Sequence, residues 1–373
     1  MGAPHQNRTG PVGVALVGTG VISGAYLENL TRFPDINVVA LTDLLPEVAA
    51  AKAEEFGIDL SGAPELAFEH PDVEIIINLT IPAAHLEVSS RALAAGKHVW
   101  TEKPLAMNSV DASTLVDAAA AAGLRLGCAP DTVLGAGIQT ARRVIERGDI
   151  GVPQTGLTLF QTPGPESWHP APEFLFQPGA GPLFDMGPYY LTTLVEVFGP
   201  AAGVLALSRK ARATRVIGSG PKAGTEFEVG VPTHVGLQTD FVEGGASQSI
   251  FSFESPRVRA GFVEVTGTEA TLSIPDPNNF DGELRICRTG EDEWKSIPLV
   301  GPSDGRGMGV LDMARSIRAG APHRATGERA RHVTELMEAA IRSADKKAYV
   351  PLTSTAPRSE LLPDGWDPVA ATL

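Results

Sequence analysis

From Val12 to Cys128, short apolar runs alternate with longer, alanine-rich stretches. VGVALVG, INVVALTD, VEIIINLT, KHVWTEK and LRLGC are rich in Val, Ile and Leu and almost unbroken in hydrophobicity, as strands buried on both faces are. Between them lie Ile22 to Arg32, Pro46 to Phe56, Ala83 to Ala95 and Ser109 to Ala122, each long enough to be a crossover helix. That rhythm predicts an α/β domain over 12–128 built on a doubly wound parallel sheet, preceded by a polar tail over 1–11 that is expected to be flexible.

After Cys128 the period changes. Ile138 to Arg147 reads as a helix with Gly148 as its stop, and Leu183 to Phe198 contains a second. Much of Val204 to Ile297 alternates instead as half-exposed strands do, in HVGLQTDFVEG, ASQSIFSFES, RAGFVEVTGTEATLSI and GELRICR. Gly, Pro, Asn and Asp clusters separate these runs, and Asp281-Gly282 is a hairpin-type signal. Helical period returns over Gly309 to Arg318 and Glu328 to Asp345. The expectation is an α+β domain over 129–350 with a large open, mostly antiparallel sheet, followed over 351–373 by a Pro-containing tail that reads as a surface strap.

Composition narrows the classes of function. A chain of 373 residues exceeds the usual single core, in agreement with two domains. A net charge of −14 argues against nucleic acid, whose phosphates are neutralised by Lys and Arg, and favours a small-molecule substrate. Cys128 and Cys287 form no CxxC pair and read as small buried hydrophobes, so neither a disulfide framework nor a zinc site is expected. No HExxH is present, and Asp276 to Asp281 fails an EF-hand at Phe280, so no metal is predicted. Met1 to Gly10 lacks the apolar segment of a signal peptide, and no apolar run approaches the ~20 residues that span a bilayer. A cytoplasmic protein with no membrane partner is the expectation.

Gly18-Thr19-Gly20-Val21-Ile22-Ser23 fits the first two glycines of GxGxxG, with Ser23 in the third place and Gly24 one position on. The first glycine permits a tight turn, the second lets backbone N–H groups approach a pyrophosphate, and the third allows close helix packing. Two glycines alone are a weak signal, but here a buried strand precedes them and a helix follows. Asp43 closes the next strand, where an acidic side chain accepts from the adenosine ribose, although it could equally cap the helix that starts at Pro46. A carboxylate there, followed by Leu44 rather than Arg, repels a 2′-phosphate, so NAD is favoured over NADP.

Lys103 follows KHVWTE at the carboxyl end of its strand, the edge of an open α/β sheet at which ligands bind. A solvated surface lysine is the plain alternative, but Pro104 restrains the peptide that carries it. In GPLFDMGPYY, Asp185 and Tyr189 lie four apart and share a helix face, as a pocket pair or as a dipole-compensating aspartate and a core tyrosine. Trp168 and His169 lie in a long Pro/Gly loop, as a sugar-contacting pair or a loop anchor. His85 either approaches the cofactor or caps its helix, and His234, His323 and His332 read as surface or packing residues.

The glycine turn, Asp43, LTIPAAH, Glu102-Lys103-Pro104 and GPLFDMGPYY, in this order, resemble the glucose-fructose oxidoreductase / inositol dehydrogenase / MocA family over about Val12 to Pro351. The resemblance implies an N-terminal Rossmann domain, a C-terminal α+β domain, and a homo-oligomer, dimer or tetramer, often assembled through the open sheet. It implies that Lys103 hydrogen-bonds the substrate hydroxyl and takes part in proton transfer, and that Asp185 belongs to the catalytic helix. Inositol-oxidising members usually carry a histidine four residues after that aspartate. Tyr189 stands there in this chain, as a tyrosine does in the glucose-fructose oxidoreductase and dihydrodiol dehydrogenase branches.

Together these readings give Gly18, Thr19, Gly20, Val21, Ile22, Asp43, Leu79, Thr80, Pro82, His85, Glu102 and Lys103 as cofactor contacts. Lys103, Asp185 and Tyr189 are the catalytic candidates, and with Trp168 and His169 they are the substrate contacts. The expected activity is hydride transfer between NAD and a secondary alcohol or ketone of a sugar, cyclitol or sugar derivative, with Lys103 as the main acid/base. The alternatives are a glycosidase that uses NAD for transient oxidation and an NAD-binding regulator without turnover.

Overall fold

The computed structural model describes residues 8–373. The tail expected over 1–11 lies outside the described residues as far as position 7. The described residues divide into two compact units, one made of residues 8–135 with Gly301–Arg331 and Leu362–Leu373, the other of Ala136–Val300 and His332–Leu361.

In the first unit, strands β1 (Val12–Val17), β2 (Ile36–Thr42), β3 (Ser61–Gly62), β4 (Ile75–Asn78), β5 (His98–Thr101) and β6 (Leu126–Cys128) form a six-stranded sheet in the order β3-β2-β1-β4-β5-β6. All its pairings are parallel, and the reversal of order at β1 gives the doubly wound crevice at the strands' carboxyl ends. Helices α1 (Val21–Leu30), α2 (Pro46–Phe56), α3 (Pro64–Glu69), α4 (His85–Ala94) and α5 (Ser109–Ala122) make the crossovers. β1, β4, β5 and β6 are buried at every position, which is why their sequences carry no alternation. Two short elements, β3 and α3, were not legible, since Ser61-Gly62 has no strand pattern and Pro64–Glu69 is too short for a period.

The second unit begins with α6 (Ala136–Glu146) and contains strands β7 (Pro153–Gln161), β8 (Ala201–Arg209), β9 (Thr214–Val216), β10 (Glu226–Glu228), β11 (His234–Phe241), β12 (Ala246–Ser252), β13 (Arg259–Gly267), β14 (Ala270–Ile274), β15 (Leu284–Arg288) and β16 (Lys295–Ile297). Helix α7 (Pro182–Phe198) lies between β7 and β8 in sequence. The large sheet runs β16-β15-β14-β13-β7-β12-β11-β8-β17, with β17 at Val350–Pro351; β7 and β12 are parallel and the other neighbours antiparallel. Gly156 of β7 admits Leu194 and Phe198 of α7, so α7 covers one sheet face. The opposite face carries a cross-strand row of Leu205, Gln238, Gln248, Leu157 and Glu264. Asp281-Gly282 is not a two-residue hairpin but lies in the longer connection from β14 to β15.

The chain then returns to the first unit through α8 (Met308–Ala319) and the start of α9 (Gly327–Lys346). A reason is visible in Trp100, whose fully buried indole occupies the space that a side chain at Gly127 or Gly309 would need; a Cβ at Gly309 would stand 2.0 Å from the ring. The final residues also close on this unit, where Asp35 accepts from the backbone N–H groups of Thr372 and Leu373 at 2.8 and 3.0 Å. His323 and His332 are buried, His332 accepting from Ala201 N–H at 2.9 Å. Cys287 is half-buried, its pleat position on β15 facing the open side of the sheet, whereas Cys128 is fully enclosed. No helix among the described residues is long and apolar enough to cross a membrane.

Candidate active site

The glycine turn joins β1 to α1. Gly18 has φ +95°, and a Cβ there would stand 2.8 Å from the backbone carbon of Leu79, so only glycine lets β1 pass the β4 loop. Gly20, in contrast, faces open space. It precedes a helix start with no side-chain cap and no acidic residue in the first turn, where Val21 is fully exposed and Ile22 half-buried. Backbone N–H groups and an uncompensated helix dipole facing open space fit a pyrophosphate. Ser23 is buried, and its hydroxyl donates to the Gly20 carbonyl at 2.7 Å. The third-place serine thus ties the turn to the helix.

Asp43 is not the cap of α2, whose N-cap is Leu45 without a side-chain cap hydrogen bond. Its Oδ2 accepts from the backbone N–H of Thr19 at 2.8 Å and from the Thr19 hydroxyl at 3.1 Å, while Oδ1 accepts from Leu45 N–H at 3.1 Å. It therefore pins the glycine turn and shapes the entry to α2. Leu44 and Ile81 are strongly exposed apolar side chains on the loops after β2 and β4. At the end of β4, Asn78 holds Thr80 through its backbone N–H at 3.2 Å and its hydroxyl at 2.6 Å, and Pro82 opens a single 3-10 turn.

His85 is fully buried under this loop, with Nδ1 2.6 Å from the Pro104 carbonyl and Nε2 3.0 Å from the Thr80 carbonyl. Burial lowers its pKa, with the two carbonyls acting in the opposite direction. It links the loop after β4 to the peptide that follows Lys103.

Lys103 is half-buried just beyond the carboxyl end of β5, and the Lys103–Pro104 peptide is cis. Glu102 turns inward; Oε1 accepts from the Tyr26 hydroxyl at 2.9 Å, and Oε2 accepts from the Lys103 backbone N–H at 3.0 Å. Trp100 Nε1 donates to the Tyr26 oxygen at 3.2 Å. Burial, then the charges of Glu102 and Asp131, push the Tyr26 phenol well above its ordinary range and keep it a neutral donor. Asp131, on the 3-10 turn after β6, is itself completely buried against the start of α8, accepting from Gly307 and Gly309 N–H at 2.9 and 3.2 Å beside Arg306 at 3.6 Å. Desolvation raises its pKa in spite of these partners.

In the second unit, Gly181, whose φ is +89°, is the N-cap of α7, and Asp185 occupies the first turn, half-buried, with its N–H on the Gly181 carbonyl at 3.0 Å. Tyr189, one turn further, is buried. The loop before this helix exposes Trp168 and Phe174, with His169 between them at 5.5 Å from each ring. Buried Arg215 holds the base of the loop, donating to the carbonyls of Pro163 at 3.0 Å and Phe253 at 2.7 Å while pairing with Glu166 and Glu254. Sequence reading passed over Arg215, Tyr26, Trp100 and Asp131. Each is a buried polar or amphipathic side chain whose partners are distant in sequence, so no local spacing marks it.

Comparison with known proteins places both units. A family model described as "Oxidoreductase family, NAD-binding Rossmann fold" matches residues 12–129, and one described as "GFO/IDH/MocA C-terminal domain" matches residues 138–273. The 1,5-anhydro-D-fructose reductase of Ensifer adhaerens is 30% identical over 62% of this chain and 71% of its own length. The trans-1,2-dihydrobenzene-1,2-diol dehydrogenase of Sus scrofa is 26% identical over 81% of this chain and 86% of its own. Among solved structures, a levoglucosan dehydrogenase in complex with NADH and L-sorbose superposes with a TM-score of 0.81 at 20% identity, covering 93% of this chain and 100% of that one.

Proposed function

The chain belongs to the GFO/IDH/MocA family of NAD-binding oxidoreductases, and from that premise we propose that it interconverts a secondary alcohol and a ketone on a sugar, cyclitol or sugar derivative. The observation that carries the reading is Lys103, presented at the carboxyl end of β5 in the same unit as the Gly18–Ser23 turn. The names of the relatives, a reductase of an anhydro sugar and a dihydrodiol dehydrogenase, support the substrate class.

The bound nicotinamide supplies the hydride acceptor or donor. The chain's part is to hold that cofactor and to move the hydroxyl proton. The Gly20 turn and the start of α1 receive the pyrophosphate, and Asp43, its oxygens held by Thr19 and Leu45, keeps lone pairs for the ribose. Its charge and the neighbouring Leu44 favour NAD over NADP. Lys103 Nζ takes the proton during oxidation and returns it during reduction, with Asp185 and Tyr189 assigned to the substrate side. His85 acts through Thr80 and Pro104, by fixing the loops on either side of Lys103 rather than through its own ring surface.

For assembly we propose a homo-oligomer through the open face of the nine-stranded sheet, on which Leu157, Leu205 and Leu207 are exposed. The unpaired thiols of Cys128 and Cys287 support a cytoplasmic location. The test is NAD reduction, read as NADH absorbance, across a panel of sugars, anhydro sugars and inositols, with NADH oxidation by the matching ketones. Turnover of a free polyol supports the reading; cleavage of a glycoside without net NADH overturns it in favour of transient oxidation, and inactivity of the NAD-loaded protein on the whole panel overturns it in favour of a regulator.

A further inference from the structure

Four polar groups form an unbroken chain beneath Lys103. The Trp100 indole N–H donates to the Tyr26 oxygen, the Tyr26 hydroxyl donates to Glu102 Oε1, and Glu102 Oε2 accepts the backbone N–H of Lys103 itself, at 3.2, 2.9 and 3.0 Å. Trp100 and Tyr26 are fully buried and Glu102 is 8% exposed, so water does not compete for these bonds. Tyr26 lies on α1, the helix that opens with the glycine turn, whereas Glu102 and Lys103 follow β5. The chain thus joins the helix that would bear the cofactor phosphates to the peptide that bears the lysine.

We propose that Tyr26 is a positioning residue for the reaction, holding the Glu102 carboxylate in the one orientation that fixes the Lys103 backbone. The inference deepens the functional reading above and rests on it for its catalytic consequence. The physical argument is one of restraint. A carboxylate with a single bond to a backbone N–H can turn about its side-chain torsions, but a second bond at the opposite oxygen, from a phenol locked in a packed core, removes that freedom. A lysine on a flexible stem delivers its amine accurately only if the backbone beneath it is fixed, and small misplacements of reacting groups cost large factors in rate. On the other side of the lysine, His85 at 2.6 Å from the Pro104 carbonyl fixes the following peptide. Tyr26 completes a brace on both flanks.

The test is Tyr26→Phe, which keeps the ring and its packing and deletes the donor. Hydrogen exchange of the Lys103 amide, read at single-residue resolution, is expected to speed up about tenfold as Glu102 loosens, with the amides of Val99 and Trp100 unchanged. In kinetics, kcat is expected to fall about tenfold, while the Kd for NAD stays within about twofold, since the Gly18–Ser23 turn and Asp43 keep their own hydrogen bonds in the variant. In a Lys103→Met background the same substitution is expected to change kcat by less than about twofold, because a residue acting through Lys103 has nothing left to act on. Glu102→Gln, which can accept at only one oxygen, serves in place of Tyr26→Phe if that variant does not fold. Exchange of the Lys103 amide unchanged within about twofold overturns the proposal, as does an equal kcat loss with and without Lys103, which marks a general structural effect. If wild type turns over no substrate, the functional reading fails, and the exchange measurement still decides the brace.

Discussion

His323 offers a stringent test of the packing in the first unit. The ring is buried, Nε2 lies 3.2 Å from the Leu126 carbonyl, and Nδ1 has no hydrogen-bond partner among the described residues. Desolvation, then the charge of Arg125, outweigh the Leu126 carbonyl and bring the pKa from 6.5 down to about 3, with Arg329 and His98 adding to the effect. The folded protein therefore holds a neutral imidazole that donates from Nε2. As pH falls through 6.5, the unfolded chain takes up the proton first, so the stabilisation is complete above 6.5 and is lost progressively toward pH 3. One proton over this interval corresponds to about 1.4 kcal/mol per pH unit, or about 2–3 kcal/mol between pH 7 and pH 4.5. Urea unfolding of the first unit, followed by the indole of Trp100, should show that loss in wild type and its absence in His323→Gln, which keeps a donor for Leu126 but does not titrate. The comparison stops at pH 4.5 because Asp35, in the same unit, adds its own acid-side loss below that point: against the desolvation that pushes it up, bonds from Thr372, Arg315 and Leu373 hold its carboxyl below its ordinary range. Equal pH dependence in the two proteins would refute the assignment of a neutral, desolvated His323.

Gly18→Ala should lower the stability of the first unit by about 2–3 kcal/mol, because an alanine at φ +95° is strained and its methyl meets the Leu79 backbone; an unchanged Tm together with an unchanged Kd for NAD would count against the close approach. Leu44→Arg should strengthen NADP binding relative to NAD about tenfold, since a guanidinium beside Asp43 can meet a 2′-phosphate. Fluorescence titration with both cofactors reads the ratio, and an unaltered ratio would show that the ribose does not lie at the end of β2.

Most of the parallel sheet was legible because β1, β4, β5 and β6 are buried on both faces and the longer crossover helices carry a helical period or an alanine-rich composition, so period and composition agree. The glycine turn, Asp43, Lys103 and the start of α7 were legible for a related reason, since each sits at a chain boundary that local rules govern. What could not be read was nonlocal. Nothing in LTIPAAH indicates that His85 turns both nitrogens onto backbone carbonyls, and the inward turn of Glu102 depends on a tyrosine seventy-six residues earlier. The contribution of Gly301–Arg331 to the first unit is similarly hidden, because Gly309 makes room for Trp100 in a way no spacing encodes. The Asp281-Gly282 signal failed as a hairpin because the strands it was expected to join are separated by a longer excursion.

The central claim is that Lys103 moves the substrate proton while hydride passes to or from NAD. Its most direct measurement is the single-turnover rate of NADH formation by NAD-loaded wild type and Lys103→Met, each at saturating concentration of the best polyol of the panel. The account predicts a loss of about 10²–10⁴-fold in that rate, as for removal of a general acid/base, with the Kd for NAD little changed. A Lys103→Met protein that forms NADH at the wild-type rate would contradict it.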